Sequence, residues 1–416
     1  MSKSRLAYVS FDNFPGSKGA AIHIAAFSQA LAATFGDVQL VTVSPTVEIL
    51  KENEIYPQVR QTMLPAIGKT LIHRVLSFRR SLQMWFQGKR FEVVQIRSIY
   101  EGLPIALNKK QYCDRLIFEV NGLPSIELKY RYPAIADDKE LLHKLRSQEQ
   151  ICLEVADLIV TPSTITSQYL QSRGISSQKI RVIPNGVDLK VFTYFSGAIS
   201  CSLGFLSSLQ DKFLPGWDTG NTPLQMLYFG TLSPWQGVNL AIEALQLINQ
   251  NFPAYLTVIG QARNYQIKAL QKLAFKLGVA DKLIILEPMS QSLLVKYIHA
   301  SNLVLAPLTP SDRNLVQGCC PLKILEAMAT GIPVIASDLP VVRELGVDGV
   351  HFLLVKPGSA KAIKDAALRL RQEPQLTKQL TTNARKRIEE TYTWESAGKA
   401  LIAAYTELGI KRSIMV

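Results

Sequence analysis

Strand-like and helix-like runs alternate along nearly the whole chain, and one aperiodic stretch divides them into two series. The first begins at Leu6–Phe11, passes a helical run over roughly 20–35, and continues through Val38–Val43, a basic helical run within 69–90, and Val93–Ile96. Leu116–Val120, a polar helix ending near Ala156, Leu158–Thr161 and Ile180–Pro184 complete it. Short β-branched runs without polar alternation are strands covered on both faces, as in a parallel sheet between helical layers. From about 194 to 223 the pattern dissolves into Gly, Ser, Leu and Pro, which reads as a linker or irregular insertion. A second series follows: Met226–Phe229, Leu240–Asn249, Tyr255–Ile259, 265–277, Leu283–Leu286, Val304–Ala306 and Pro333–Ala336. The alternation predicts an α/β chain of two doubly wound parallel-sheet domains, over 1–193 and 224–393, joined by 194–223.

Within the second series, Gln317-Gly-Cys-Cys-Pro-Leu-Lys-Ile-Leu-Glu-Ala-Met-Ala-Thr-Gly331 carries the most chemistry. A glycine-bearing loop runs into Pro321 at a first helical position, and Gly331 stands where the helix would stop. Lys323 and Glu326 are three apart and share a face. Amides at a helix start attract phosphate, and Lys323 leans back toward that start. Glu326 lies one turn deeper, where a carboxylate suits paired sugar hydroxyls. The pair reads as a receptor for a ligand with both a phosphate and a ribose. An ordinary capped helix with a Lys–Glu pair is the alternative. The strand Ile332-Pro-Val-Ile-Ala-Ser337 follows and opens into a loop, and parallel sheets bind ligands at the carboxyl ends of their strands.

Together, Pro-x-Lys-x-x-Glu-x-Met-Ala-x-Gly-x-Pro-Val-x-Ala-Ser resembles the nucleotide-sugar site of the retaining glycosyltransferases of family 4. That resemblance implies the GT-B fold, two Rossmann-like domains with a cleft between them, and a final helix (394–416) returning to the N-terminal domain. Four further stretches share it. Pro15-Gly16-Ser17-Lys18-Gly19-Ala20-Ala21-Ile22-His23-Ile24 resembles the loop that contacts the donor's diphosphate and sugar, which implicates Gly16 and Gly19 there and His23 on the acceptor side. Phe118-Glu119-Val120-Asn121-Gly122 carries Asn121 where many members have histidine. An amide can bind a sugar hydroxyl but cannot transfer protons near neutral pH. Ala156–Ser163 and Val182–Asp188 resemble strand ends facing the cleft, placing Ser163 and Asn185 on the acceptor side.

Tyr228-Phe229-Gly230-Thr231-Leu232-Ser233-Pro234-Trp235-Gln236-Gly237 resembles the loop that opens the nucleotide domain, and here the chain departs from the family. Thr231 and Gln236 stand where an arginine and a lysine usually clamp the diphosphate, and Gly318 where the first of two acidic residues usually stands. The resemblance implies transfer of a sugar from a nucleotide diphosphate donor to an acceptor hydroxyl, with retention and without metal or other cofactor. Lys323, Arg313 and the amides of 16–19 and Gly318, Cys319 and Cys320 would meet the leaving diphosphate, Glu326 the ribose and Asn121 a sugar hydroxyl. An epimerase or hydrolase on the same fold, or a non-catalytic scaffold that has lost its clamp, are the competing classes. The sugar, base and acceptor leave no side-chain signature.

The net charge of +13 favours anionic partners. No zinc finger, helix-turn-helix pattern or aromatic-interleaved basic strand speaks for nucleic acid. Much of the charge falls in 69–90, where Leu71, Val75, Phe78, Leu82 and Trp85 or Phe86 recur at helical spacing among His73, Arg74, Arg79 and Arg80. Such a helix can lie on an anionic membrane or pack on a sheet with a solvated basic rim. A membrane reading would make the acceptor a lipid-linked glycan or glycolipid of cell-surface synthesis. No apolar run spans a bilayer, and Met1–Arg5 leads straight into a strand rather than a signal core. Five cysteines without metal-ligand spacing argue for a reducing compartment. The expected location is cytosolic, peripheral on the inner face of the plasma membrane if the basic helix docks there.

Overall fold

The computed structural model describes residues 5–16, 19–46, 48, 50–194 and 222–412. Nearly all of the expected linker therefore lies outside the described residues, as do Ser17 and Lys18. The chain forms two compact units. The first takes the chain to Asn185, with Val316–Cys319 and the segment from Trp394; the second comprises Gly186–Leu315 and Cys320–Thr393.

Among the described residues, the first unit holds β1 (Leu6–Asn13), β2 (Val38–Ser44), β3 (Leu50–Tyr56), β4 (Val59–Pro65), β5 (Phe91–Ile96), β6 (Cys113–Glu119), β7 (Leu158–Thr161) and β8 (Ile180–Val182). They form one sheet in the order β3-β4-β2-β1-β5-β6-β7-β8. Only the β3–β4 pair is antiparallel. That hairpin escaped the sequence reading because Leu-Lys-Glu-Asn-Glu-Ile-Tyr has no apolar run. The central strands are apolar on both faces because helices cover both. On one side Phe78, Leu82, Trp85 and Phe86 of the helix Leu71–Phe86 pack with Val9, Val94 and Phe118. On the other, Phe27, Leu31 and Phe35 of Gly19–Phe35 pack with Leu401, Ala404 and Tyr405 of Trp394–Glu407. Each such side chain contributes about 1.5–3 kcal/mol by leaving water. The aromatic face of the basic helix is thus core, not a surface for a membrane.

The second unit, among its described residues, is a parallel six-stranded sheet. Its strands are β9 (Leu224–Phe229), β10 (Ala254–Ile259), β11 (Leu283–Leu286), β12 (Leu303–Ala306), β13 (Val334–Ser337) and β14 (Leu353–Val355). The order β11-β10-β9-β12-β13-β14 reverses direction between β9 and β12, and that switch point is where such sheets bind ligands. The helix Leu322–Thr330 feeds β13. Pro321 is its N-cap, one place earlier than expected. Its stop has two causes at Gly331: φ is +77°, and a Cβ there would meet the Tyr194 ring at 2.5 Å.

Candidate active site

In the second unit several candidate side chains gather where the β9 loop meets the helix Leu322–Thr330. Lys323 is buried, with its ammonium 3.8 Å from the centre of the Tyr228 ring. It also donates to Gln236 Oε1 at 2.6 Å. Tyr228 in turn donates its hydroxyl to the Thr231 carbonyl at 2.6 Å, which pins the loop that follows β9. Gly230, at φ +126°, leaves room for the lysine: a Cβ there would lie 3.3 Å from Nζ. The structure therefore brings Gly230, Thr231, Gln236 and Lys323 together. The Thr231 side chain is exposed, and Gln236 is half-buried.

Glu326 lies one turn deeper on the same helix and is buried. Burial pushes its carboxyl up to about 7, against a hydrogen bond from Gln291 and the charge of Lys323. A carboxyl so placed is poised to accept hydroxyl donors once ionised. Arg313 is half-buried at the start of a single π turn, Arg313–Gln317. Cys320 is buried and Cys319 half-buried, both as free thiols. Gly318 belongs to the first unit, where its φ is +82° and a Cβ would press to 2.7 Å on the Thr166 backbone nitrogen. The expected acidic position is thus one that no side chain fits. Beside it, Gln317 accepts from the Leu123 amide and donates to Glu127, both at 2.9 Å.

The first unit has its own polar centre at the carboxyl ends of three adjacent strands, β1, β5 and β6. Glu119, fully buried at the end of β6, accepts from Tyr8 at 2.5 Å, Gln95 at 2.6 Å and Arg97 at 2.8 Å. Asn121 donates to the same carboxylate, and His23 Nε2 stands 3.1 Å from it. Arg97 also bridges to Asp12 at 2.9 Å. Burial would raise the Glu119 pKa, but His23, Arg97 and Tyr8 outweigh it and hold the carboxyl at about 2. Burial depresses the pKa of Arg97, yet Glu119, Tyr8 and Asp12 lift it above its ordinary value.

Burial lowers the His23 pKa, with Glu119 pulling the other way. A neutral ring carries its proton on Nδ1, which donates to Asn185 Oδ1 at 2.9 Å, and this leaves Nε2 near the Glu119 carboxylate without a hydrogen bond to it. His23 and Asn185 therefore do meet, and Asn121 shares their carboxylate. Ser163 serves differently: its hydroxyl caps the helix Thr164–Ser172 by accepting from Ile165 N at 3.1 Å. Gly16 is exposed, and Gly19 opens its helix. Sequence reasoning passed over Glu119, Arg97, Tyr8 and Asp12. The available signal was a charge placed directly at the end of an apolar strand, twice, in Ile96-Arg97 and Phe118-Glu119.

Two family descriptions match the chain: glycosyl transferases group 1 over residues 211–387, and glycosyltransferase family 4 over residues 17–191. Among curated relatives, a D-inositol 3-phosphate glycosyltransferase of Geodermatophilus obscurus is 27% identical over 66% of this chain and 57% of its own length. An α-(1→4)-mannosyltransferase of Mycolicibacterium hassiacum is 22% identical over 62% of this chain. The chain thus spans little more than half the length of these two relatives, 57% and 56%. An uncharacterized glycosyltransferase of Methanocaldococcus jannaschii is 21% identical over 93% of this chain and 94% of its own. Of solved structures, sucrose-phosphate synthase from Thermosynechococcus elongatus superposes with a TM-score of 0.80 at 21% identity, covering 98% of this chain and 99% of that one. Anabaena HepE in complex with UDP-glucose gives 0.72 at 15% identity over 96% of this chain and 99% of its own. At these identities the structures speak for the fold.

Proposed function

The chain belongs to the group 1, family 4 glycosyltransferases with the GT-B fold, and from that premise we propose that it moves a sugar from a nucleotide diphosphate donor to an acceptor hydroxyl. The observation that carries the proposal is the buried Lys323–Glu326 pair on one helix at the switch point of the second sheet. As the glycosidic C–O bond of the donor breaks, negative charge develops on the leaving diphosphate. Lys323, Arg313 and the first-turn amides of Leu322–Thr330 stabilise that charge, which is electrostatic catalysis of departure. Glu326 holds the ribose. Within the first unit, the proposed roles are a sugar hydroxyl for the Asn121 amide and the acceptor for His23 and Asn185.

In this reading configuration is retained, the donor phosphate itself takes the acceptor's proton, and neither metal nor other cofactor takes part. The acceptor is a glycan or lipid-linked glycan in cell-surface synthesis, reached from the inner face of the plasma membrane. No described helix is long and apolar enough to cross a membrane. Structures of HepE hold UDP and UDP-glucose, so UDP is the first probe.

The deciding experiment is calorimetry with UDP, GDP and ADP on wild type, Lys323→Ala and Glu326→Ala, followed by mass spectrometry of sugar transfer from matching donors. Binding of one diphosphate that both substitutions weaken supports the reading. Wild-type protein that binds none of them at millimolar concentration overturns it in favour of a scaffold.

A further inference from the structure

The helix Leu71–Phe86 carries a second apolar stripe besides the one in the core. Val75, Phe78, Leu82, Trp85 and Phe86 point inward and are buried. Ile72, Leu76, Arg80 and Met84 follow one another at intervals of four and face outward. Ile72 is 59% exposed, Leu76 48% and Met84 57%, and Ile67 beside them 51%. Ile67, His73, Leu76, Ser77, Arg80 and Met84 line a shallow groove of about 390 Å³. Large apolar side chains grouped this way on an otherwise solvated helix mark an interaction surface.

The charge around the stripe selects its partner. Between Glu54 and Glu92 the sequence has no acidic residue, yet it includes Lys69, Arg74, Arg79, Arg80, Lys89 and Arg90. These cations do not all face the same way. Arg79 turns inward and donates to the carbonyls of Tyr100 at 2.7 Å and Ile99 at 2.8 Å. Arg74 donates to the Ala66 carbonyl at 3.3 Å. Lys69, His73, Arg80 and Lys89 are exposed. An apolar strip flanked by exposed cations, with no carboxylate on its own segment, fits an anionic bilayer: the side chains enter the acyl boundary while the cations meet lipid phosphates.

We infer that Ile67, Ile72, Leu76 and Met84 form a membrane-insertion strip, with Lys69 and Arg80 as its headgroup contacts. The inference deepens the proposed role at the inner membrane face and rests on it only for its biological purpose, because lipid docking and nucleotide binding are measured separately. The test is co-flotation of the full chain with phosphatidylcholine vesicles, with and without phosphatidylglycerol.

Wild type should float with the anionic vesicles only, and less so as salt rises. Lys69→Gln with Arg80→Gln should weaken binding about fivefold per cation removed. Ile72→Gln with Leu76→Gln should weaken it while leaving the salt dependence in place. Because all four side chains are exposed, both double variants should keep wild-type melting and UDP binding. Equal binding to neutral and anionic vesicles overturns the proposal, as does undiminished binding by both double variants. So does a concentration-dependent dimer that Ile72→Gln with Leu76→Gln abolishes, since a second copy then covers the strip. Wild type that floats with anionic vesicles but binds none of UDP, GDP and ADP would instead strike the donor reading and leave this one standing.

Discussion

The Lys323 ammonium sits 3.8 Å from the centre of the Tyr228 ring while donating to Gln236 at 2.6 Å. Both partners are neutral. Neither of these two cancels the ammonium's charge, and the buried Glu326 carboxyl one turn away also feels it. Thr231 and Gln236 stand where an arginine and a lysine are expected from the family resemblance, so in the proposed site Lys323 takes over their part. Lys323→Ala should weaken nucleoside diphosphate binding by about tenfold or more, since hydrogen bonds to charged groups contribute about 1.5–3 kcal/mol. The free nucleoside should be hardly affected. Calorimetry on the two ligands reads the difference, and equal losses for both would remove Lys323 from the phosphate site.

Restoring the missing cations gives the converse test. Thr231 is exposed and Gln236 half-buried, so Thr231→Arg should fit without disturbing the core, tightening diphosphate binding several-fold at low salt. Gly318→Glu, by contrast, cannot restore the missing carboxylate. Its Cβ would sit 2.7 Å from the Thr166 nitrogen with φ at +82°, so the variant should lose about 1–3 kcal/mol of stability. A Gly318→Glu protein as stable as wild type would show that the loop can re-form.

Much of this architecture was legible because the strands are uninterrupted apolar runs. Leu158–Thr161 and Leu283–Leu286 fall where expected to the residue. The helix Leu71–Phe86 shows the limit. Its inward stripe was read as either a membrane face or a sheet-packing face, and the structure shows the second, because a periodicity of 3.6 marks an apolar stripe without saying what covers it. The lysine site shows another. The resemblance put Gln236 and Lys323 at one diphosphate, but Tyr228 beneath the ammonium went unread, because it lies far from Lys323 in sequence and the switch point between β9 and β12 brings the two together. The Glu119 centre was passed over because its members come from three strands and a helix that lie far apart in sequence.

Glu326 links the site to pH. Burial lifts its carboxyl to about 7 and that of Glu101 to about 8. A carboxyl raised by folding contributes stability that is full below its unfolded pKa of about 4.5 and is lost as pH rises through the folded value. The ligand-free protein should therefore lose stability between about pH 4.5 and pH 8, with Glu326 accounting for up to about 3 kcal/mol. Glu326→Gln should flatten the part of that slope below pH 7 in urea titrations. The same variant should weaken the ribonucleotide more than its 2′,3′-dideoxy analogue, which has no hydroxyls for the carboxylate. A wild-type slope retained in Glu326→Gln would detach this residue from the pH effect.

The sharpest stability test lies in the first unit. Four side chains donate to Glu119, Tyr8 and Gln95 on one oxygen and Arg97 and Asn121 on the other, with His23 Nε2 standing 3.1 Å away. Glu119→Gln keeps the shape but replaces one acceptor with an NH2 that must face a donor, and it leaves Arg97 buried with only Asp12 as a carboxylate partner. Removing one partner of a buried ion pair costs about 3–5 kcal/mol, whereas replacing both with apolar groups costs far less. Glu119→Gln should therefore destabilise strongly in chemical denaturation, and Glu119→Leu with Arg97→Met should recover part of the loss. Because folding depresses the Glu119 pKa to about 2, its contribution is present above about pH 4.5 and fades as pH falls toward 2. The variant and wild type should therefore converge in acid. A Glu119→Gln protein within about 0.5 kcal/mol of wild type at neutral pH would mean that the centre does not hold the strand ends together.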